Sequence, residues 1–90
     1  MEVMHDPRTS KFFIIAAGKE AFVTYEKAGN ALDLQYSYVP ENLAAKGIGD
    51  KLVFAVFKYA SEKNIKIIPT CELAREFLKK NKGMKKFVKR

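Results

Sequence analysis

With 90 residues, 48% of them hydrophobic and 30% charged, the chain has room for one folded domain and is too apolar to be disordered. It holds no apolar run near the ~18 residues of a membrane helix and no basic-then-apolar leader, and a single cysteine and histidine exclude an internal disulfide, argue against a zinc site and suit a reducing cytoplasm. The net charge is +7, yet residues 1–78 carry ten basic and ten acidic side chains, so the body is not a basic nucleic-acid module.

The first forty residues read as strands. Glu2–Asp6 is short and roughly alternating, and Asp-Pro-Arg-Thr-Ser supplies turn chemistry after it. Residues 11–17, Lys-Phe-Phe-Ile-Ile-Ala-Ala, form an apolar run closed by Gly18. In residues 21–27 Ala21, Val23 and Tyr25 share a face, and in 31–39 Leu32, Leu34, Tyr36 and Tyr38 alternate in register. Short connections between successive strands favour an antiparallel meander.

The period then changes from two to 3.6. Ile48, Leu52, Ala55, Val56 and Tyr59 form one stripe of a helix, with Asp50, Lys51, Lys58, Ser61 and Glu62 around the rest. Asn64 suits its C-terminal end. Ile65–Ile68 reads as a buried strand closed by Pro69, and Thr70 is placed to cap a second helix with Glu72 in its first turn. Leu73, Ala74, Phe77 and Leu78 give that helix an apolar face, which Lys82-Gly83 ends. The expected fold is α+β in the order β-β-β-β-α-β-α, with a mixed, mostly antiparallel sheet and a parallel pair across the strand–helix–strand unit. Residues 1–80 make the domain. Residues 81–90 make a basic tail, and the last twelve residues hold seven basic side chains and no acid. The tail is read either as a solvated terminus or as a phosphate-seeking arm.

Two glycines open the first helix, in Lys46-Gly47-Ile48-Gly49. Glycine costs about 1 kcal/mol against alanine inside a helix. The first turn also has free N–H groups and a positive dipole end, and a loop without side-chain bulk lets an anion approach them. The P-loop pattern does not match here, and the dinucleotide pattern fails because its third glycine is Leu52.

These residues carry a resemblance. Val39-Pro40, Lys46-Gly47-Ile48-Gly49, a helix of about four turns and then Ile67-Ile68-Pro69-Thr70-Cys71 resemble, in order, the acyl-CoA-binding segment and following strand of the smallest single-domain members of the GNAT superfamily of N-acyltransferases. The resemblance covers roughly residues 1–80 and implies a minimal GNAT-like fold. It also implies an N-acetyltransferase that uses acetyl-CoA as co-substrate, without a metal, and a primary amine as acceptor. Two positions depart from the [QR]-x-x-G-x-[GA] pattern: its Arg or Gln is Ala44, and the glycine that often follows is Ala45. Losing the side chain at position 44 weakens a phosphate contact and leaves the backbone donors, and Lys46 is placed to compensate.

By the same resemblance, Tyr38 and Val39 would hold the pantetheine arm in a gap between strand 31–39 and strand 65–69. The segment Ala44, Ala45, Lys46, Gly47, Ile48, Gly49 and Asp50 would hold the diphosphate. Glu41, Tyr36, Tyr38 and Cys71 fall near the mouth, and none has a positional claim to be the base. Cys71 follows the strand at the start of a helix, where a dipole lowers thiol pKa values. It is read as an acetyl-cysteine nucleophile, as a proton donor to the leaving sulfur, or as a small buried filler. His5, in the first strand, is read as exposed and distant from Cys71. The tyrosines and phenylalanines read as core and sheet surface, with Phe54 or Phe57 off the main stripe. Two other classes stay open: a non-catalytic acyl-CoA-binding module, and a nucleic-acid binder that uses the tail. The open sheet edges fit a monomer or a weak homodimer.

Overall fold

A computed structural model gives the fold and describes residues 2–44 and 47–89. Strands β1 (Met4–Asp6), β2 (Lys11–Ala16), β3 (Lys19–Ala28), β4 (Ala31–Tyr38) and β5 (Lys66–Ile68) form one sheet in chain order. The pairs from β1 to β4 are antiparallel and β4–β5 is parallel. Ala17 and Gly18 join β2 to β3 with φ of 53° and 72°, the positive pair that suits the twist of a two-residue hairpin. A short helix α1 (Glu41–Ala44), not foreseen from the sequence, precedes the long helix α2 (Ile48–Lys63). Helix α3 (Glu72–Lys80) and a 3-10 segment, Lys82–Phe87, complete the chain. This is the mixed, mostly antiparallel α+β arrangement that the periodicities imply. No helix among the described residues is long and apolar enough to cross a membrane.

The core lies on one face of the sheet. Phe12, Ile14, Ala21, Val23, Leu32 and Leu34 point into it from the strands. They meet Ile48, Leu52, Val53, Val56 and Phe57 of α2, and then Ala74 and Phe77 of α3. Phe57 is the fully buried member of the pair left open above, and Phe54 faces out. Asn64 ends α2 in the left-handed conformation, with its N–H donating to the Ala60 and Ser61 carbonyls. The cap of α3 differs from expectation. Cys71 occupies the N-cap position, without a side-chain capping bond. Thr70 is one residue too early and donates its hydroxyl to Asp33.

His5 is more enclosed than an exposed strand histidine. Residues of β1 alternate, and the pairing of His5 with Phe12 puts it on the core side. Its ring stacks on Phe12 at 4.0 Å and meets the edge of Tyr59 at 4.9 Å, while Nε2 lies 2.7 Å from the Tyr25 hydroxyl. Burial pushes its pKa below the usual histidine value, against an opposing pull from Asp6.

The basic tail is docked on the fold and not a frayed terminus. Phe87 stands edge-on to Phe57 at 6.5 Å, and Val88 bridges Ile67 in parallel. The N–H of Lys89 donates to the Ile67 carbonyl at 2.8 Å, and Lys66 Nζ donates to the Lys86 carbonyl. Met84, Phe87 and Val88 supply the apolar contacts that the lysine count conceals. The segment covers the outer edge of β5, a strand of three residues that would otherwise end the sheet unpaired.

Candidate active site

One register shift builds the site. Tyr25 of β3 pairs with Leu34, yet the preceding Thr24 pairs with Tyr36, so Gln35 is an extra residue in β4. A bulge of this kind inverts which side chains face the core beyond it. Leu32 and Leu34 therefore point inward, as the alternation implies. Tyr36 and Tyr38 do not follow them: they stand on the open face of the sheet, 58% and 49% exposed, each about 6 Å from Phe22. Ser37 and Val39 take the inward positions instead and line a cleft of about 530 Å³. The pairing with β5 ends just before the bulge, where Pro69 follows the strand and has no N–H to offer. The parallel ladder stops at Asp33–Ile68, and the Cys71 N–H closes the junction by donating to the Leu34 carbonyl at 2.7 Å.

The opposite wall of the cleft is the start of α2. Gly47, Gly49 and Asp50 line it, beside Ala44 at the end of α1. Ile48, between them, is fully buried in the core. Ala45 and Lys46 lie outside the described residues. The two glycines have different reasons. Gly47 sits at the N-cap with φ of 72° and ψ of 18°. A Cβ there would meet nothing within 4 Å, so the requirement is conformational. Gly49 lies inside the helix, and a Cβ on it would come within 2.9 Å of Leu73 Cδ2; its absence lets α3 close over the first turn of α2. With no side-chain capping bond at Gly47, the first-turn N–H groups are left for another acceptor.

Helix α3 supplies the floor with residues that sequence reasoning passed over. Glu72, Leu73, Glu76 and Lys80 line the cleft, and three of them fall at i, i+4 and i+8 on one helical face. That spacing was readable. Its direction was not, because nothing in the sequence turns this face towards α2. Lys80 Nζ lies 2.8 Å from Asp50 Oδ2. Ser37 was hidden by the bulge. Cys71 is 6% exposed and belongs to the core cluster, not to the cleft lining. His5 is held by Tyr25 and Phe12 in the first strand, so the structure does not bring the two together. Glu41 opens α1, beyond the end of β4.

A split beside β4, a bulge at its root and an uncapped helix start at its mouth can be compared with known proteins. The sequence model described as GCN5-related N-acetyl-transferase matches residues 11–87. The chain belongs to the GCN5-related N-acetyltransferase family. Among curated relatives, Protein NATD1 of Bos taurus is 30% identical over 84 residues, spanning 90% of this chain and 74% of that one. The Danio rerio Protein NATD1 is 31% identical over 84 residues, spanning 90% and 76%. The NMR solution structure of a GCN5-like protein from Staphylococcus aureus superposes with a TM-score of 0.76 at 28% identity, covering 98% of this chain and 87% of that one. Family and fold together support an acetyltransferase-type function.

Proposed function

We propose that the protein is an acetyl-CoA-dependent N-acetyltransferase that acetylates a primary amine. The observation that carries this reading is the cleft itself, a gap past the end of β5 that the Gln35 bulge turns Ser37 and Val39 into, bounded by β4 backbone on one side and the uncapped first turn of α2 on the other. The strand edge beyond the bulge offers N–H and C=O groups to the amides of a pantetheine arm. The N–H groups around Gly47 to Asp50 suit a diphosphate.

Transfer proceeds by direct attack in this reading. The amine nitrogen adds to the thioester carbonyl carbon, whose developing oxyanion takes a hydrogen bond from a β4 N–H. The tetrahedral intermediate collapses with loss of the thiolate, the nitrogen gives up a proton, and the products are the acetamide and the free thiol. An alkyl amine with a pKa of about 10.4 is mostly ammonium at neutral pH, so it must lose a proton before attack. The acceptor approaches from the open face, where Tyr36 and Tyr38 stand exposed at the split. Cys71 then acts by packing, since its thiol is held among core side chains.

Calorimetry with CoA and acetyl-CoA, followed by thiol release in the presence of polyamines or lysine peptides, tests the proposal. Binding together with amine-dependent thiol release is the expected result. Ala44 at the position of the pattern's Arg or Gln favours a second reading, an acyl-CoA-binding module, which predicts binding with no release above the uncatalysed rate. No binding at millimolar CoA removes both.

A further inference from the structure

We propose that Lys80, reaching across from α3, is the cation that receives the diphosphate of the acyl carrier, and that it makes the cleft select carriers bearing a nucleoside diphosphate. This rests on the acyl-CoA reading above and adds a residue outside the loop to it.

The cleft has an electrostatic difficulty. Asp50, Glu72 and Glu76 line it, and Lys80 is the one cation among its described lining residues. Three carboxylates repel a diphosphate, and Ala44 provides no charge against it. Some positive group must offset this for a diphosphate to settle at the first turn of α2. Lys80 is already there. Its ammonium touches Asp50, a first-turn residue of α2, at 2.8 Å, so its reach extends to the end of the helix where the anion would lie.

The existing bond is suited to exchange. The Lys80 and Asp50 side chains are 59% and 45% exposed, so water screens their attraction and holds them loosely. Asp50 does not depend on Lys80, because a carboxylate in a first turn is favoured by the helix dipole. Lys80 can therefore leave Asp50 for a phosphate oxygen without stranding a buried charge. A phosphate with more than one negative charge is the better acceptor. Asp50 thus holds the cation in place when no diphosphate is bound, and competes with the diphosphate when one is. Removing either partner should change affinity, in opposite directions.

Carriers that share the pantetheine arm but lack the diphosphate would gain nothing from Lys80. The experiment measures dissociation constants of CoA and of pantetheine by calorimetry, at fixed pH and two ionic strengths. The proteins are the wild type, Lys80→Met, Asp50→Asn and, as a comparison, Lys46→Ala. Lys80→Met should weaken CoA about tenfold or more, the value of one charge-assisted hydrogen bond, and leave pantetheine unchanged. It should also flatten the salt dependence of CoA binding, while Asp50→Asn tightens CoA several-fold. Equal CoA affinity in wild type and Lys80→Met overturns the proposal, and so does a loss shared by CoA and pantetheine. A loss confined to Lys46→Ala assigns the cation to the loop instead. If the wild type itself binds no CoA, the acyl-CoA reading falls first and Lys80 with it, a result distinct from the others because the unmodified protein shows it.

Discussion

Gly49→Ala places a number on how α3 closes over the site. The new Cβ would stand 2.9 Å from Leu73 Cδ2 and 3.5 Å from Cδ1, against about 3.5–4.0 Å for a relaxed carbon pair. Leu73 must therefore swing away by roughly half an ångström to one ångström. The obstruction is the end of a half-buried leucine side chain that can turn aside, so the overpacking falls at the low end, about 1–2 kcal/mol, while alanine recovers about 1 kcal/mol of helix propensity over glycine. The net expectation is a loss of about 0–1 kcal/mol, or up to ~5 °C in melting temperature for a domain of this size. The decisive comparison is made in a Leu73→Ala background, where the obstruction is gone and Gly49→Ala should stabilise by about 1 kcal/mol. Urea unfolding of the four proteins in that cycle, with slopes checked for equality, gives the coupling energy directly. A coupling near zero would refute the packing account of Gly49. Gly47→Ala provides the contrast: no atom lies within 4 Å of its Cβ, but φ is 72°. It should therefore cost about 1–2 kcal/mol whether or not Leu73 is present.

Three further outcomes follow from the same contacts. The His5 pKa is lowered in the folded state by burial, so its neutral form contributes stability above the unfolded pKa of about 6.5. That contribution is lost as pH falls through the lower folded value, and melting temperature should drop between pH 7 and pH 5 in wild type and less in His5→Phe; parallel curves would refute the assignment. Phe87→Ala removes the ring that stands on Phe57 and should cost about 1–2 kcal/mol, less than a fully buried phenylalanine. Faster hydrogen exchange should appear at the Lys89 amide, which is bonded to Ile67, and a melting temperature equal to wild type would show that the tail is not docked in solution. Cys71→Ala should lower stability by about 1 kcal/mol and leave single-turnover acetyl transfer within a few-fold of wild type. Abolished turnover in a folded Cys71→Ala protein would restore the acetyl-cysteine reading.

Much of the fold was readable because its signals are local. The alternation of Ala21, Val23 and Tyr25 and the stripe through Ile48, Leu52 and Val56 each report which side of one element is apolar, and all of these residues except Tyr25 are fully buried. Asn64 was readable as a cap because its left-handed conformation is a property of a single residue. The bulge was not. Tyrosine fits a core face and a wet face equally well, so Tyr36 and Tyr38 do not reveal on which side of β4 they stand. The tail misled for the opposite reason: its five basic residues among ten dominate the composition, while the three apolar side chains that dock it are a minority. Cys71 shows the same limit. Its position in the chain left nucleophile, proton donor and buried filler open, and its neighbours in the fold bury the thiol.

The sequence by itself determined the five strands, the two longer helices, their order and the family pattern around Gly47 and Gly49. Each of these depends on backbone preference or on the apolar period within one segment. Only the tertiary structure decided that β4 inverts its faces at Gln35, that Gly49 makes room for Leu73, and that Glu72, Glu76 and Lys80 look into the cleft. Those facts depend on how two segments distant in the chain meet. A register or a helix–helix contact is chosen by the joint packing of both partners, and neither partner's sequence contains that choice alone.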